Sequence, residues 1–449
     1  MRSEEQTAVM VGSEPPQAIQ VDEQHHLQIG GCDTVELAEA YGTPLIVYDE
    51  QLIRSTIRAF HEVFLRERVP YQISYASKAF CTLAMCQLVH AEGCGIDVVS
   101  GGELFTALES GVPASAIHLH GNNKTPEELR FAVDAGVGAI IVDNFIELAL
   151  LQDIAAESER EVDVLIRVAP GVEAHTHEFI ATGGQDSKFG FDLASDQAHA
   201  ALRQLADAEN LRCIGLHSHI GSQIFDADGF VVAVERLAEL YEYGLDRLNL
   251  PLSVLNVGGG FGIRYTSEDA PAVSETLSAI IAAAREAFTK RHMELPVLWI
   301  EPGRSIAGPA GTTLYRVGSQ KRIPGIRNYL AVDGGMTDNP RLALYGAKYH
   351  ALYANRADAE PEDTWSVAGK CCESGDMLIW DAALPNPKPG DILAVFATGA
   401  YNYSMASHYN RIPNPAVVFA SNGKAQVVVA RETWADLIRR DKPLATAQA

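Results

Sequence analysis

The chain is poor in cysteine for its length, with seven among 449 residues, an odd number, and no C-x-x-C pair. That excludes a disulfide framework, which closes on even sets of cysteines, and a structural zinc site, which needs clustered thiolates. Basic residues are also scarce, 35 Lys and Arg against 58 Asp and Glu, for a formal net charge of −23. A surface of that sign repels phosphate backbones and anionic lipid, so nucleic-acid and membrane partners are excluded. No apolar run approaches the roughly 20 residues that span a bilayer. The opening from Met1 to Pro16 is acidic and polar, unlike a secretory signal, and a cytoplasmic location is expected.

What is present is the material of a folded enzyme. Hydrophobic residues make up 47% and charged residues 21%, values of a globular chain. The length exceeds one ordinary core and predicts two domains. Residues 1 to about 26 carry no hydrophobic period and read as a lead-in; residues 1–43 are expected to pack with the later β domain. A strand at Pro44–Tyr48 precedes a helix over Asp49–Arg68, where Leu52, Ile53, Ile57, Phe60, Val63 and Phe64 recur at helical spacing. Eight short apolar runs follow, each leading into a helical pattern: Tyr71–Ser77, Gly95–Val99, Ala116–His120, Ala139–Val142, Val162–Val168, Cys213–His219, Leu252–Val257 and Val297–Ile300. Alternating βα units imply a parallel sheet, and eight of them imply a closed (β/α)8 TIM-like barrel, placed at residues 44–309. Thr125-Pro126-Glu127-Glu128 reads as a capped helix start, with Gly136 past its end. The glycine-rich stretch Pro170–Gly190 is longer than a normal βα loop and reads as a lid or binding loop.

Beyond about residue 310 the period becomes two, with strands expected at Tyr329–Val332, Trp365–Ala368, Met377–Ile379, Ile392–Phe396, Ala416–Phe419 and Gln426–Val429. Asn422-Gly423 between two apolar runs signals a type I′ hairpin. Residues 310–449 are therefore expected to form a C-terminal all-β domain.

A barrel of this kind carries its chemistry at the C-terminal ends of its strands. Lys78 follows the first. Asp97 and Ser100 close the second, and His120, Asn122 and Asn123 end the third. Arg167 lies in the fifth, His217 and His219 in the sixth, Gly258–Gly262 after the seventh, and Glu301-Pro302-Gly303-Arg304 after the eighth. Glycines after strand seven and Gly-Arg after strand eight stand where barrels bind phosphate, because bare backbone N–H groups approach an anion closely. The alternatives are a plain turn or a Rossmann loop; the latter wants a third glycine where Ile263 stands. Lys78, between strand and helix, would project into the barrel mouth with its amine partly desolvated, able to form a Schiff base; an ordinary surface lysine is the other reading. Glu301 can hold a pyridine nitrogen protonated and Arg304 can face a phosphate or carboxylate, which together suit pyridoxal phosphate. His217-Ser-His219 leaves a rival open, a metal-dependent hydrolase. That rival wants further His and Asp ligands on other strand ends, where this chain offers Lys, glycine turns and Arg. The preferred reading stacks one histidine on a cofactor ring, buries the other in a hydrogen bond, and needs no metal.

The segments YASKAF (75–80), HSHIGSQI (217–224), GGGFG (258–262), EPGR (301–304), DGGMTDNPRLALYGA (333–347), CCESGD (371–376) and GAYNYSMASHYN (399–410) resemble the fold-type III pyridoxal-phosphate decarboxylases, and within them the meso-diaminopimelate decarboxylase family. The likeness runs from about Leu27 to Leu437. It implies Lys78 as the lysine that holds the cofactor, His219 as the ring-stacking residue, and Ser222, Gly260, Gly303 and Arg304 as phosphate-side groups. It sets Glu301 against the pyridine nitrogen, supported by Asp97, and has Tyr401 reach phosphate and substrate. Arg304, Arg341, Tyr345 and Glu373 would recognise the far end of the substrate. Charge agrees with that last assignment: guanidinium suits a distal carboxylate and Glu373 a distal ammonium, whereas ornithine or lysine would leave the arginines unpaired.

The resemblance further implies loss of the α-carboxylate as CO2 and a proton delivered by Cys372, a thiol protonated near neutrality at its reference pKa of about 8.5. Cys371 has no such role. It also implies a homodimer in which CCESGD reaches the neighbouring subunit's site. Leu342 stands where the family commonly has proline and Asn402 where it commonly has glycine; neither removes a charged group. Other readings are a decarboxylase for ornithine, arginine or carboxynorspermidine, a racemase, which needs a second base and has no use for the acidic CESGD element, and a non-catalytic cofactor binder.

Overall fold

The computed structural model describes residues 18–172 and 187–444 and divides into two compact units. One comprises 52–263 with 269–308. The other comprises the residues up to Gln51, 264–268 and 309 onward.

In the first unit, eight parallel strands close a barrel: β1 Tyr71–Ala76, β2 Gly95–Val98, β3 Ile117–Leu119, β4 Ala139–Val142, β5 Val162–Ala169, β6 Leu211–His217, β7 Val254–Asn256 and β8 Val297–Ile300. Closure comes where Leu298, Trp299 and Ile300 of β8 lie opposite Tyr71, Gln72 and Ile73 of β1. The (β/α)8 expectation holds, and every expected strand is found within two residues of its bounds. β4 is buried at all four positions, because a barrel strand is covered on its outer face by helices and on its inner face by packing. Ala139, Ile141, Leu165, Val254 and Trp299 fill that interior, and His118 stacks on Trp299 at 4.4 Å. A filled interior confines chemistry to the rim. The helix Pro126–Ala135 begins and ends as expected, with a capping box between Thr125 and Glu128, Pro126 in its first turn, and Gly136 at φ 74° past its end.

The second unit is built on strand Gly311–Ile323, which pairs with Arg327–Val332, Ile392–Val395 and Leu45–Asp49. Sequence periodicity misses this strand because it is buried as far as Tyr315 and largely exposed beyond Val317, so no single pattern runs its length. Leu45–Asp49 corrects the expected start of the barrel at residue 44. It runs in this second sheet, antiparallel to Gly311–Leu314 and parallel to Ala416–Ala420, where Leu45 and Val47 join Leu314, Phe396 and Val418 in a buried cluster. The hairpin at Asn422-Gly423 closes with Ser421 opposite Lys424, both turn residues having positive φ, as a type I′ turn requires. Within the lead-in, strand Gln20–Val21 pairs with Leu27–Ile29; residues 1–17 lie outside the described residues. So do residues 173–186, and with them most of the expected lid. Among the described residues, no helix is long and apolar enough to cross a membrane.

Candidate active site

Lys78 sits in a single 3-10 turn, Ser77–Ala79, at the C-terminal end of β1. The turn is pinned by Tyr75, whose hydroxyl donates to the Phe80 carbonyl at 3.0 Å. Ser77, Ala79 and Phe80 are buried around it, whereas Lys78 is exposed. The expected partial desolvation of its amine is thus corrected: the side chain leaves the packed turn toward the open rim. It stands close enough to bias the ionisation of Asp97, Glu103 and His219, so the lysine faces the barrel mouth.

Across the rim, Glu301 follows β8 and is buried. Its Oε1 accepts from Asn256 Nδ2 at 2.5 Å, and its Oε2 lies 3.1 Å from His217 Nε2. His120 Nε2 lies 3.2 Å from Glu301 Oε1 and 3.0 Å from Asp97 Oδ1. Burial alone would raise the Glu301 carboxyl, but the two imidazoles beside it hold it well below the usual range. Burial and then the charge of Glu301 push Asp97 well above its usual value. His219 is lowered, first by desolvation and then by Lys78. It accepts at Nδ1 from the Gly259 N–H at 3.2 Å, which fixes a neutral ring with its proton on Nε2. The two histidines of H-S-H therefore part company: His217 is buried against Glu301 and His219 faces the glycine turn. The donor atoms of His120, His217 and Glu301 lie within 4.8 Å of one another and could ligate a cation, but the same carboxylate suits a pyridine nitrogen equally well.

The Gly258–Gly262 segment follows β7 in a conformation open to glycine. Gly258 has φ 72°, and a Cβ there would meet the Ser218 carbonyl oxygen at 2.6 Å; Gly260 has φ 109° and would meet that of Gly221 at 2.4 Å. Ile224 donates to the Gly260 carbonyl and accepts from Gly262, bringing the loop that carries Ser222 beside the turn. Arg304 Nη2 donates to Ser222 Oγ at 2.9 Å. Gly303, immediately before Arg304, packs against Ala76 at the end of β1. Ser222, Gly260, Gly303 and Arg304 thus lie on adjoining turns of one rim.

The other expected residues lie on the second unit. Arg341 opens the short helix Arg341–Tyr345 and is buried, with Nη1 donating to the hydroxyls of Tyr265 and Tyr349, both at 2.9 Å. Tyr345 is half-buried. Tyr401 holds φ 68°, a region costly for an aromatic residue and frequent at functional positions. Cys372 and Glu373 are exposed beside buried Cys371, whose thiol is pushed up to about 12 by burial. Sequence reasoning missed Asn256 and assigned His120 no task. A polar residue closing an otherwise buried strand was the available signal for both.

The family model described as "Pyridoxal-dependent decarboxylase, pyridoxal binding domain" matches residues 50–308. A diaminopimelate decarboxylase of Bacillus subtilis is 55% identical over 422 residues, covering 94% of this chain and 96% of its own. Among solved structures, a diaminopimelate decarboxylase from M. jannaschii in complex with L-lysine superposes with a TM-score of 0.89 at 35% identity, covering 95% of this chain and 98% of that one. One from Helicobacter pylori, also with L-lysine, gives 0.83 at 30% identity, covering 91% and 98%. The chain belongs to the pyridoxal-dependent decarboxylases, in the branch of the diaminopimelate decarboxylases. Its cofactor is pyridoxal phosphate, and the rim fits it: an exposed lysine, a buried carboxylate, a turn in which a Cβ would collide, and a guanidinium paired to a hydroxyl.

Proposed function

We propose that the protein removes the α-carboxylate of meso-2,6-diaminopimelate to give L-lysine and CO2. The observation that carries the reading is the common rim on which Lys78, Glu301, the Gly258–Gly262 turn and the Ser222–Arg304 pair converge at strand ends. Pyridoxal phosphate, when bound, supplies an electron sink for the charge left as CO2 departs. Lys78 would hold it covalently. Ser222, Gly260, Gly303 and Arg304 would take its phosphate through hydroxyl, backbone N–H and guanidinium donors. Glu301, ionised and buried, would keep a proton on the pyridine nitrogen, with Asp97 behind it. His219, neutral, would stack on the ring.

The resemblance supports assigning the distal carboxylate and ammonium of the substrate to Arg304, Arg341, Tyr345 and Glu373, a role for Tyr401 at both phosphate and substrate, and delivery of the proton to Cα by Cys372. It equally supports a homodimer with shared sites and a cytoplasmic location. CO2 release measured side by side from meso-diaminopimelate, ornithine and arginine tests the substrate; faster release from ornithine or arginine would overturn it. Lys78→Ala should abolish the visible absorbance of the bound cofactor, and Cys372→Ala should keep that absorbance while losing most turnover. Wild-type turnover in Cys372→Ala would remove the cysteine from the reaction.

A further inference from the structure

We propose that His120 is a positioning residue that keeps the single negative charge of a carboxylate pair on Glu301, with Asp97 holding the proton. The inference rests on reading Glu301 as the partner of the pyridine nitrogen. One imidazole nitrogen, Nε2, stands within 3.0 Å of Asp97 Oδ1 and 3.2 Å of Glu301 Oε1, without a well-aligned hydrogen bond to either. A neutral imidazole has one N–H and cannot satisfy two carboxylates at once. Two buried carboxylates joined through one ring do not both ionise, because their repulsion is poorly screened there.

Which of the two keeps the charge follows from the donors around each. Glu301 has Asn256 Nδ2 at 2.5 Å and His217 Nε2 at 3.1 Å in addition to His120. Asp97 Oδ1 has no aligned donor. A carboxylate is ionised where N–H donors converge on it and protonated where they do not. The groups facing His120 from neighbouring strand ends are Asp97, Glu301, His217, whose ring meets it edge-on at 5.0 Å, and Arg167; Asp97 also faces Lys78 and Glu103, and burial with the charge of Glu301 outweighs the pull of Lys78 and Arg167 toward its ionised form. Burial drives His120 itself down to about 3, so the ring is neutral and the proton belongs to Asp97. The arrangement gives the cofactor one full countercharge, at Glu301. Removing His120 would leave the proton free to redistribute between the two acids and would loosen the face of Glu301 that it touches.

The test uses the full-length protein with and without pyridoxal phosphate. Infrared spectra of the cofactor-free wild type at neutral pH should contain a protonated carboxylic-acid band that Asp97→Asn removes, and His120→Leu should shift the pH at which that band titrates. Loaded with cofactor, His120→Leu should keep KM within about 2-fold and lose kcat by about 10- to 100-fold, the range seen when partners of a site's ligands are removed. His120→Gln, which restores a donor, should recover part of that loss. Absence of the Asp97 band in wild type, or wild-type kcat in His120→Leu, overturns the proposal. If His120→Leu does not fold, the wild-type band and His120→Gln kinetics decide it: an absent band or wild-type kcat in His120→Gln overturns it. Glu301→Gln separates the two readings. If it leaves cofactor absorbance and kcat untouched, the role of Glu301 falls; if it is impaired while His120→Leu is not, only the role of His120 falls.

Discussion

Asn256 holds Glu301 and Gly258 with the two ends of one amide: its Nδ2 donates to Glu301 Oε1 at 2.5 Å, and its Oδ1 accepts from the Gly258 N–H at 2.9 Å. The carboxylate proposed for the pyridine nitrogen and the turn proposed for the phosphate are therefore set relative to each other by a residue that need touch neither part of the cofactor. Asn256→Ala deletes a hydrogen bond to a charged group, worth about 1.5–3 kcal/mol, which corresponds to roughly 10- to 100-fold weaker cofactor retention. Asn256→Asp should be worse, since it turns an acceptor toward Glu301. Equilibrium dialysis of pyridoxal phosphate checks both; retention unchanged in Asn256→Ala would show that Glu301 and the turn are fixed by other means.

The barrel was legible because each strand is a short apolar run followed by a helical period, and because the rim residues fall at the strand ends where such a fold displays them. Asn256 was harder to read. The barrel pattern makes β7 and β8 neighbours, but that a side chain closing β7 reaches the carboxylate after β8 is not revealed by spacing along the chain. Leu45–Asp49 failed for a related reason. As a run it looks like any buried strand, and only its pairing with Gly311–Leu314 and Ala416–Ala420 assigns it to the other sheet. Similarly, Arg341 was assigned through the resemblance of its segment, with its charge in agreement, while the tyrosines that orient it, Tyr265 and Tyr349, are distant in sequence from it or carry no motif.

Asp376 closes the C-C-E-S-G-D turn. It is buried, and its carboxylate accepts from the backbone N–H groups of Met336 and Cys371, both at 2.6 Å. Gly335 and Gly369 pass so near that a Cβ on either would lie within 2.6 Å of that carboxylate. The last residue of the motif thus shapes the backbone from which Cys372 and Glu373 project. Asp376→Ala strands one buried and one half-buried N–H group, at about 1–3 kcal/mol for the buried one, and should lower the urea midpoint and raise KM as well as reduce kcat. Asp376→Asn, able to accept but uncharged, should fall between. Kinetics of Asp376→Ala equal to wild type would mean that the turn keeps its shape unaided.

Asp338 is expected to give the stability of the second unit a pH dependence opposite to that of an ordinary carboxylate. It is buried, accepts from the Tyr315 hydroxyl and from the Gly335 N–H, and burial raises its carboxyl from 3.8 to about 7. The folded state then binds a proton that the unfolded chain has released, so stability falls as pH rises from about 4 to about 7, by up to about 1.4 kcal/mol per pH unit. Below and above that window the contribution is flat. Asp338→Asn removes it. The difference between wild-type and variant urea midpoints should widen in the variant's favour from pH 5 to pH 7 and then level off, whereas parallel profiles would show that the carboxyl stays ionised.

Lys124 is buried, and its ammonium donates to the carbonyls of Gly121 and Ile141 at 2.8 and 2.7 Å and to Glu147 Oε1 at 2.6 Å. It fastens the turn after His120 to the last residues of β4, and Glu147 is buried with it. Desolvation pushes both groups toward their neutral forms, Lys124 downward and Glu147 upward, each opposed by the charge of the other. Lys124→Met leaves the carboxylate buried and alone, a loss of about 3–5 kcal/mol. Lys124→Met with Glu147→Leu should recover most of that loss, because an apolar pair of similar volume is often as stable as the ion pair it replaces. A double variant whose cost equals the sum of the two single costs would show that the pair is not coupled, and that the turn is held by its backbone alone.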